Sequence, residues 1–424
     1  MNAKERRNRD LVQNIIIVLL SLSAVFLIAQ TQLYSLGIDT GSSYLRYLTG
    51  DSVQTTGPAP ATLTSLSAPV RTAVTGVYGG RYGSVTLTTT DDDFEPVSNL
   101  LRETLGSVRT FSPCGYQEFL AALGGTSVYC DFIESLPLPV LAGLTGASLD
   151  AGLSVRRVVI SARGEGGAVL YLCDGAGNCQ RGDSAVPLED LSGIVDSYEL
   201  NGAFFAADDP DPTAAGVSPV SLFPLELPAL PVFSAAAALP ESDKLLPALG
   251  FYPRTNSRYT EPGGVEVITD GDRTLRLIPD GAVRYRSGGD PTLTVGAIGE
   301  TPTLQQSVMG AHTLLSSLLP AQNGGLYLQK VRRTETSTTL TFGWQINGVP
   351  VRFSDGGSAA EVVLSGNVVS SLYLRFRQYT DTGETSPLLP LRQAMAIAAR
   401  QEGRELSIGY VDNGANATAC WLSD

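Results

Sequence analysis

Val265-Glu266-Val267-Ile268-Thr269-Asp270-Gly271-Asp272-Arg273-Thr274-Leu275-Arg276-Leu277-Ile278-Pro279-Asp280-Gly281-Ala282-Val283-Arg284-Tyr285-Arg286 is the stretch that decides the fold class. Apolar and polar residues alternate in short runs, and Asp-Gly pairs at 270–271 and 280–281 divide them. Such pairs favour hairpin turns, so the spacing predicts antiparallel strands at Val265–Thr269, Thr274–Pro279 and Ala282–Arg286. Before them, Lys244–Leu249 reads as a short helix. After them, Thr303–Leu319 is a helix with Leu304, Val308, Ala311, Leu315 and Leu318 on one face. Strands follow at Gly325–Thr334, Thr338–Ile346, Ala360–Leu364 and Val368–Gln378. A helix at Leu388–Gln401 turns Leu391, Ala394, Met395 and Ala398 inward, and strands at Glu405–Val411 and Ala417–Leu422 come last. Helix followed by antiparallel strands, recurring at about 85 residues, suggests an internal α-β-β repeat. The expected class is α+β, antiparallel sheets packed with helices.

Upstream the pattern is similar. Strands are expected at Arg71–Tyr78 and Ser84–Thr90 around Gly79-Gly80, then at Val128–Phe132, Val155–Ser161, Ala168–Cys173 and Asn178–Asp183. Helices are expected at Val97–Leu105 and Tyr116–Leu123. Between the halves stand Pro210, Pro212, Pro219, Pro224, Pro228, Pro231 and Pro240. Proline removes ladder donors and breaks helices, so 210–240 reads as a linker. It separates an α+β domain at 63–209 from a second at 241–424; an irregular wrapping segment within one larger unit is the alternative.

The whole chain has 424 residues, of which 43% are hydrophobic, enough for a sizeable core. Lys+Arg number 29 against 42 Asp+Glu, a formal charge of −13, which argues against nucleic acid as a partner. One His excludes a His-rich metal site. Leu11–Ala29 is apolar except for Gln13, Asn14, Ser21 and Ser23, and Lys4, Arg6, Arg7 and Arg9 precede it. The expected organisation is a cytoplasmic tail at 1–10, a transmembrane helix within 11–33, a stalk at 34–62 and an ectodomain outside the membrane. A cleavable signal peptide would put Leu27 at the −3 position, where a small residue is wanted. Asn14, Ser21, Ser23 and Ala24 supply small or polar groups suited to packing against a partner helix, although Ser hydroxyls also bond back to their own helix. Cys173 and Cys179 flank Asp174-Gly175-Ala176-Gly177-Asn178 and can face each other as a disulfide; Cys114 and Cys130 offer a second pair, and free buried thiols are the competing reading.

Catalytic look-alikes are weak. Asp39-Thr40-Gly41-Ser42-Ser43 and Asp381-Thr382-Gly383 resemble the paired motifs of aspartic proteases. No strands precede Asp39 to build a lobe, and Asp381 reads as following a long strand before a turn that caps the last helix. Asp91-Asp92-Asp93 suits a helix N-terminus better than calcium. Arg181-Gly182-Asp183 reads as a turn, and His312 as a packed helix residue. Zinc lacks a C-x-x-C pair. The expectation is a non-enzymatic binding or regulatory ectodomain with no cofactor.

Several stretches carry a resemblance to a known family. They are Val128-Tyr129-Cys130-Asp131-Phe132 with Leu136-Pro137-Leu138-Pro139, and Ala248-Leu249-Gly250-Phe251-Tyr252-Pro253 leading into Asn256-Ser257-Arg258-Tyr259-Thr260-Glu261. Asp270-Gly271-Asp272-Arg273-Thr274-Leu275 then precedes Pro279-Asp280-Gly281, and Leu406-Ser407-Ile408-Gly409-Tyr410-Val411 resembles the unit shared with PepSY-like domains. With the anchor and acidic ectodomain, the chain resembles the YycH/YycI regulatory proteins of Gram-positive bacteria, and YycH more closely. The resemblance implies a membrane regulator of the two-component system that governs cell-wall metabolism. Its implied partners are a sensor histidine kinase and a YycI-type protein. The alternative function is a stand-alone peptide- or wall-polymer-binding module.

Overall fold

Alternating runs become strands because each buries one face and leaves the other to solvent or a second layer. The computed structural model describes residues 53–54, 69–89, 91–144, 149, 152–163, 166–252, 255–289, 292–296, 301–319, 324–401 and 403–423. After β1 (Val53–Gln54), the chain forms the hairpin β2 (Arg71–Tyr78) and β3 (Arg81–Leu87). Gly79 and Gly80 turn it with φ of 57° and 78°, angles that most side chains avoid.

The first sheet adds β4 (Ser112–Cys114), β5 (Ser127–Pro137), β6 (Ser154–Ser161), β7 (Val169–Cys173), β8 (Cys179–Asp183), β9 (Ala203–Phe205) and β10 (Leu222–Pro224). Its order is β10-β9-β3-β2-β5-β6-β7-β8-β4, with antiparallel neighbours throughout. Helices α1 (Glu95–Ser107), α2 (Tyr116–Leu123), α3 (Leu138–Leu144) and α4 (Leu188–Asp196) are interspersed. α1 buries Val97, Leu100, Leu101, Thr104 and Leu105, the three-and-four spacing of one helix face.

The second sheet runs through β11 (Pro231–Ala237), β12 (Ser257–Glu261), β13 (Val265–Asp270), β14 (Arg273–Leu277), β15 (Ala282–Arg286), β16 (Leu293–Thr294), β17 (Gly324–Arg333) and β18 (Thr338–Ile346). It continues with β19 (Val349–Phe353), β20 (Ala360–Ser365), β21 (Val368–Arg375), β22 (Arg377–Thr385), β23 (Leu406–Asp412) and β24 (Asn416–Ser423). The main path is β12-β13-β14-β15-β21-β20-β18-β19-β23-β24-β11-β22, with β17 also on β18. β19 and β23 pair in parallel, whereas the other pairings described on this path are antiparallel. The helices are α5 (Ser242–Ala248), α6 (Leu304–Leu318) and α7 (Leu391–Ala398). A capping box between Thr303 and Gln306 starts α6, whose inward face includes Val308, Ala311, Leu315 and Leu318. The order helix-then-hairpin recurs after α5, α6 and α7.

Several expectations need correction. Residues 210–240 are no linker: they contain β10 and β11, and β11 pairs with both β22 and β24. Proline is tolerated there because Pro231 is the first residue of its strand and Val232–Ala237 is proline-free; Pro224 ends an edge strand. One apolar core accordingly includes Val74, Leu136 and Val158 from the first half with Leu275, Leu315 and Phe342 from the second. Residues Gln54–Asp424 form one compact unit. Asp381 lies within a strand, β22, rather than after one, and α7 starts later than expected, with Pro390 at its N-cap and no side-chain cap. Cys114 and Cys130 are free. β6, β7 and β8 separate their strands, about 19 Å at the usual strand spacing, far beyond disulfide reach.

Among the described residues no helix is long and apolar enough to cross a membrane. The run Leu11–Ala29 and the stalk to residue 52 lie outside the described residues.

Candidate functional site

Charged side chains are seldom buried unless paired. Arg71 on β2, Asp131 on β5, and Arg156 and Arg157 on β6 meet Glu405, which immediately precedes β23 in the other sheet. Asp131 and Glu405 keep 1% and 6% of their side-chain surface in contact with solvent, and Arg157 8%. Glu405 takes bonds from all three guanidiniums, with Arg156 Nη2 at 2.6 Å. Asp131 accepts from Arg71 Nη1 at 3.4 Å, Arg156 Nε at 3.3 Å and the Ile133 N–H at 2.8 Å. Arg71 Nη2 also donates to Ser407 Oγ at 2.8 Å.

Local sequence builds this arrangement. The pairing of β5 with β6 shifts register between Asp131 and Leu136, a bulge that re-aims side chains, and Ile133 within it has φ of 66°. Burial pushes the Asp131 carboxyl up, but Arg71, Arg156 and Arg157 outweigh it and hold the group below the usual carboxylate range. Burial also raises the Tyr129 phenol, with the Asp131 charge adding to it. Among the described residues the ion pairs join three cations to two anions. In chemical terms it is a clamp between sheets.

A second feature lies open to solvent. Arg276, Arg284 and Tyr373 stand opposite one another across β14, β15 and β21, and Arg286 stands opposite Ser371. Arg375 faces Ala282 from the same side of β21. Hollows of about 330 and 430 Å³ share Arg284 and Arg286. Arg276 pairs with Glu261 at 3.2 Å and Arg375 with Asp355, while Arg284 and Arg286 have no carboxylate partner among the described residues. Arg284 lies over the Tyr373 ring with 5.6 Å to its centroid. In a chain of charge −13, this face concentrates arginines, with Glu361 opposite Tyr373 and Asp355 at its margin.

Asn14, Ser21, Ser23 and Ala24, expected to contact a partner helix, lie outside the described residues, as does Asp39. Cys173 and Cys179 end adjacent strands with Cα atoms 4.2 Å apart and are joined by a disulfide. His312 packs on α6 near Phe342, and burial lowers its pKa to about 4. Arg181 and Asp183 belong to β8, in line with the strand expected at Asn178–Asp183 and not with the turn reading of the tripeptide. Neither the clamp nor the arginine face was anticipated. The available signals were an Asp inside the apolar run 128–132, paired arginines inside the strand 155–161, and outward arginines alternating at 284 and 286.

Comparison with protein-family models, curated proteins and solved structures finds no match for this chain.

Proposed function

We propose that this protein is a non-enzymatic, membrane-anchored extracytoplasmic regulator that modulates a sensor histidine kinase of a cell-wall-controlling two-component system. The observation that carries the reading is the arginine face. It is solvent-exposed and built on neighbouring strands, with Arg284 and Arg286 in no ion pair among the described residues. Such a surface suits docking onto an acidic protein surface, where charge complementarity sets register and association rate. Anchoring is drawn from Leu11–Ala29 behind its basic flank. The kinase, and a YycI-type protein as a further partner, come from the family resemblance.

The test is co-purification of the full chain with a sensor histidine kinase of the same cell from membranes. Arg284→Glu with Arg286→Glu should cut recovery about tenfold, and added salt should weaken the wild-type pair. Unchanged recovery sinks the reading. Retention of wall glycan or peptide with no kinase would favour a stand-alone binding module instead.

A further inference from the structure

Cross-strand pairing places six side chains in one row across the first sheet: Arg71 on β2, Asp131 on β5, Arg157 on β6, Cys173 on β7, Cys179 on β8 and Cys114 on β4. Residues directly opposite one another share a sheet face, so part of the clamp and three cysteines form a single rung. Cys179 is the middle cysteine. It is bonded to Cys173 on one side, and on the other it stands opposite Cys114, whose thiol is free.

Opposite residues of antiparallel strands have Cα atoms about 4.5–5.5 Å apart, inside the range of about 4.4–6.8 Å that a disulfide accepts. Cys179 is therefore within bridging reach of both neighbours. The order also suits exchange, in which a thiolate attacks one sulfur of a disulfide from the side away from the sulfur that leaves. Three strands in register supply that order, with Cys114 entering, Cys179 at the centre and Cys173 leaving. Cys173 and Cys179 are only 1% and 4% exposed, whereas Cys114 is half-buried on β4, the end strand of the sheet. The turn between the bonded cysteines has support besides the bridge. Asp174 Oδ1 accepts from the N–H groups of Ala176 and Asn178 at 2.8 and 2.9 Å, and its Oδ2 accepts from Asn178 Nδ2 at 2.8 Å. Burial, with the Glu118 carboxylate adding to it and Arg181 opposing, raises the Cys114 thiol, which slows attack near neutral pH.

We propose that Cys114, Cys173 and Cys179 form a thiol–disulfide exchange site in which Cys179 passes between two partners. Cys114 gives up its proton, and its thiolate forms a bond to Cys179 Sγ. The Cys179–Cys173 bond breaks, its electron pair leaves on Cys173, and Cys173 takes up a proton. No oxidant or reductant is consumed. The exchange ties the end strand β4 covalently to β8 and moves the free thiol two strands inward. There it stands opposite Arg157, a member of the clamp. The site is separate from the arginine face and does not depend on the kinase.

The experiment is disulfide mapping of the folded full chain in detergent. The protein is incubated without oxidant or reductant at about pH 8.5, near the ordinary thiol pKa. It is then quenched in acid, unfolded, capped with N-ethylmaleimide and digested, and mass spectrometry reads the linked and capped cysteines. The Cys114–Cys179 peptide should reach at least about a tenth of the Cys173–Cys179 peptide, a gap of about 1.4 kcal/mol, with maleimide on Cys173 rising to match. Cys114→Ser should abolish capping of Cys173. Cys173→Ser, treated with oxidised glutathione, should close a Cys114–Cys179 bridge and release reduced glutathione. The proposal is overturned if the Cys114–Cys179 peptide stays below that level in the wild-type chain, which needs no variant to fold. It is equally overturned if Cys173 is still capped in Cys114→Ser, because another thiol is then the attacker, or if folded Cys173→Ser leaves Cys114 and Cys179 unjoined.

Discussion

His312 shows how burial alone makes one residue pH-sensitive. Its ring is 7% exposed on α6, with Ser316 Oγ 3.5 Å from Nε2, and the folded state lowers its pKa from the ordinary 6.5 to about 4. Well above pH 6.5 His312 is neutral in both folded and unfolded forms and contributes no pH dependence. As pH falls from 6.5 toward 4, the unfolded chain takes up a proton that the folded chain refuses, so stability is lost in that window. The loss approaches about 3 kcal/mol at the acid end. His312→Leu should flatten this part of the stability profile; chemical denaturation at pH 7 and pH 4.5 checks it, and equal acid sensitivity in both proteins refutes it. That His312 packs into the core was legible from its apolar helix neighbours. The clamp was not: nothing in the local sequence around Glu405 announces partners hundreds of residues away, since Arg71 and Glu405 are separated by 334 positions.

Among elements, β11 is the most informative. Its Ala235 N–H donates to Ala415 O at 2.7 Å, and its two edges are occupied by β22 and β24. Ala235→Pro would delete that donor inside the sheet and should cost about 3 kcal/mol or more. Ala229→Pro, in the exposed stretch just before the strand, should stay within about 0.5 kcal/mol. Thermal or urea denaturation of the two variants separates a strand from a linker, because a linker would tolerate both. Proline density concealed this strand from sequence reasoning, since the rule that proline excludes inner strands applies residue by residue and β11 is proline-free beyond Pro231. Hairpins marked by Gly79-Gly80, Asp270-Gly271 and Asp280-Gly281 were legible, because those turns are local and glycine supplies their backbone angles. Their neighbours in the sheet were not. That β15 lies against β21, and β19 runs parallel to β23, depends on distant contacts.

For the whole molecule, the shared core and the clamp predict one cooperative unfolding step for Gln54–Asp424, in place of the two expected from domains at 63–209 and 241–424. Calorimetry checks this: matching calorimetric and van't Hoff enthalpies support one unit, and two resolved transitions contradict it. The α+β class was readable from the sequence because periodicity reports burial directly, whereas the domain division was not, because a core shared across a proline-rich segment leaves no compositional mark. The position of β23 and β24 has a consequence for biosynthesis. They sit in the middle of the second sheet, between β19 and β11, and Glu405 enters the clamp with them. A ribosome releases residues in order, so roughly 330 residues of strand, helix and arginine must emerge and wait before residues 405–423 can fill the gap. Until then the edges of β19 and β11 are unpaired and the three arginines lack one of their two carboxylates. A growing chain in that condition has exposed strand edges that invite wrong partners, so its safe maturation depends on being held apart from its neighbours until synthesis has passed that point.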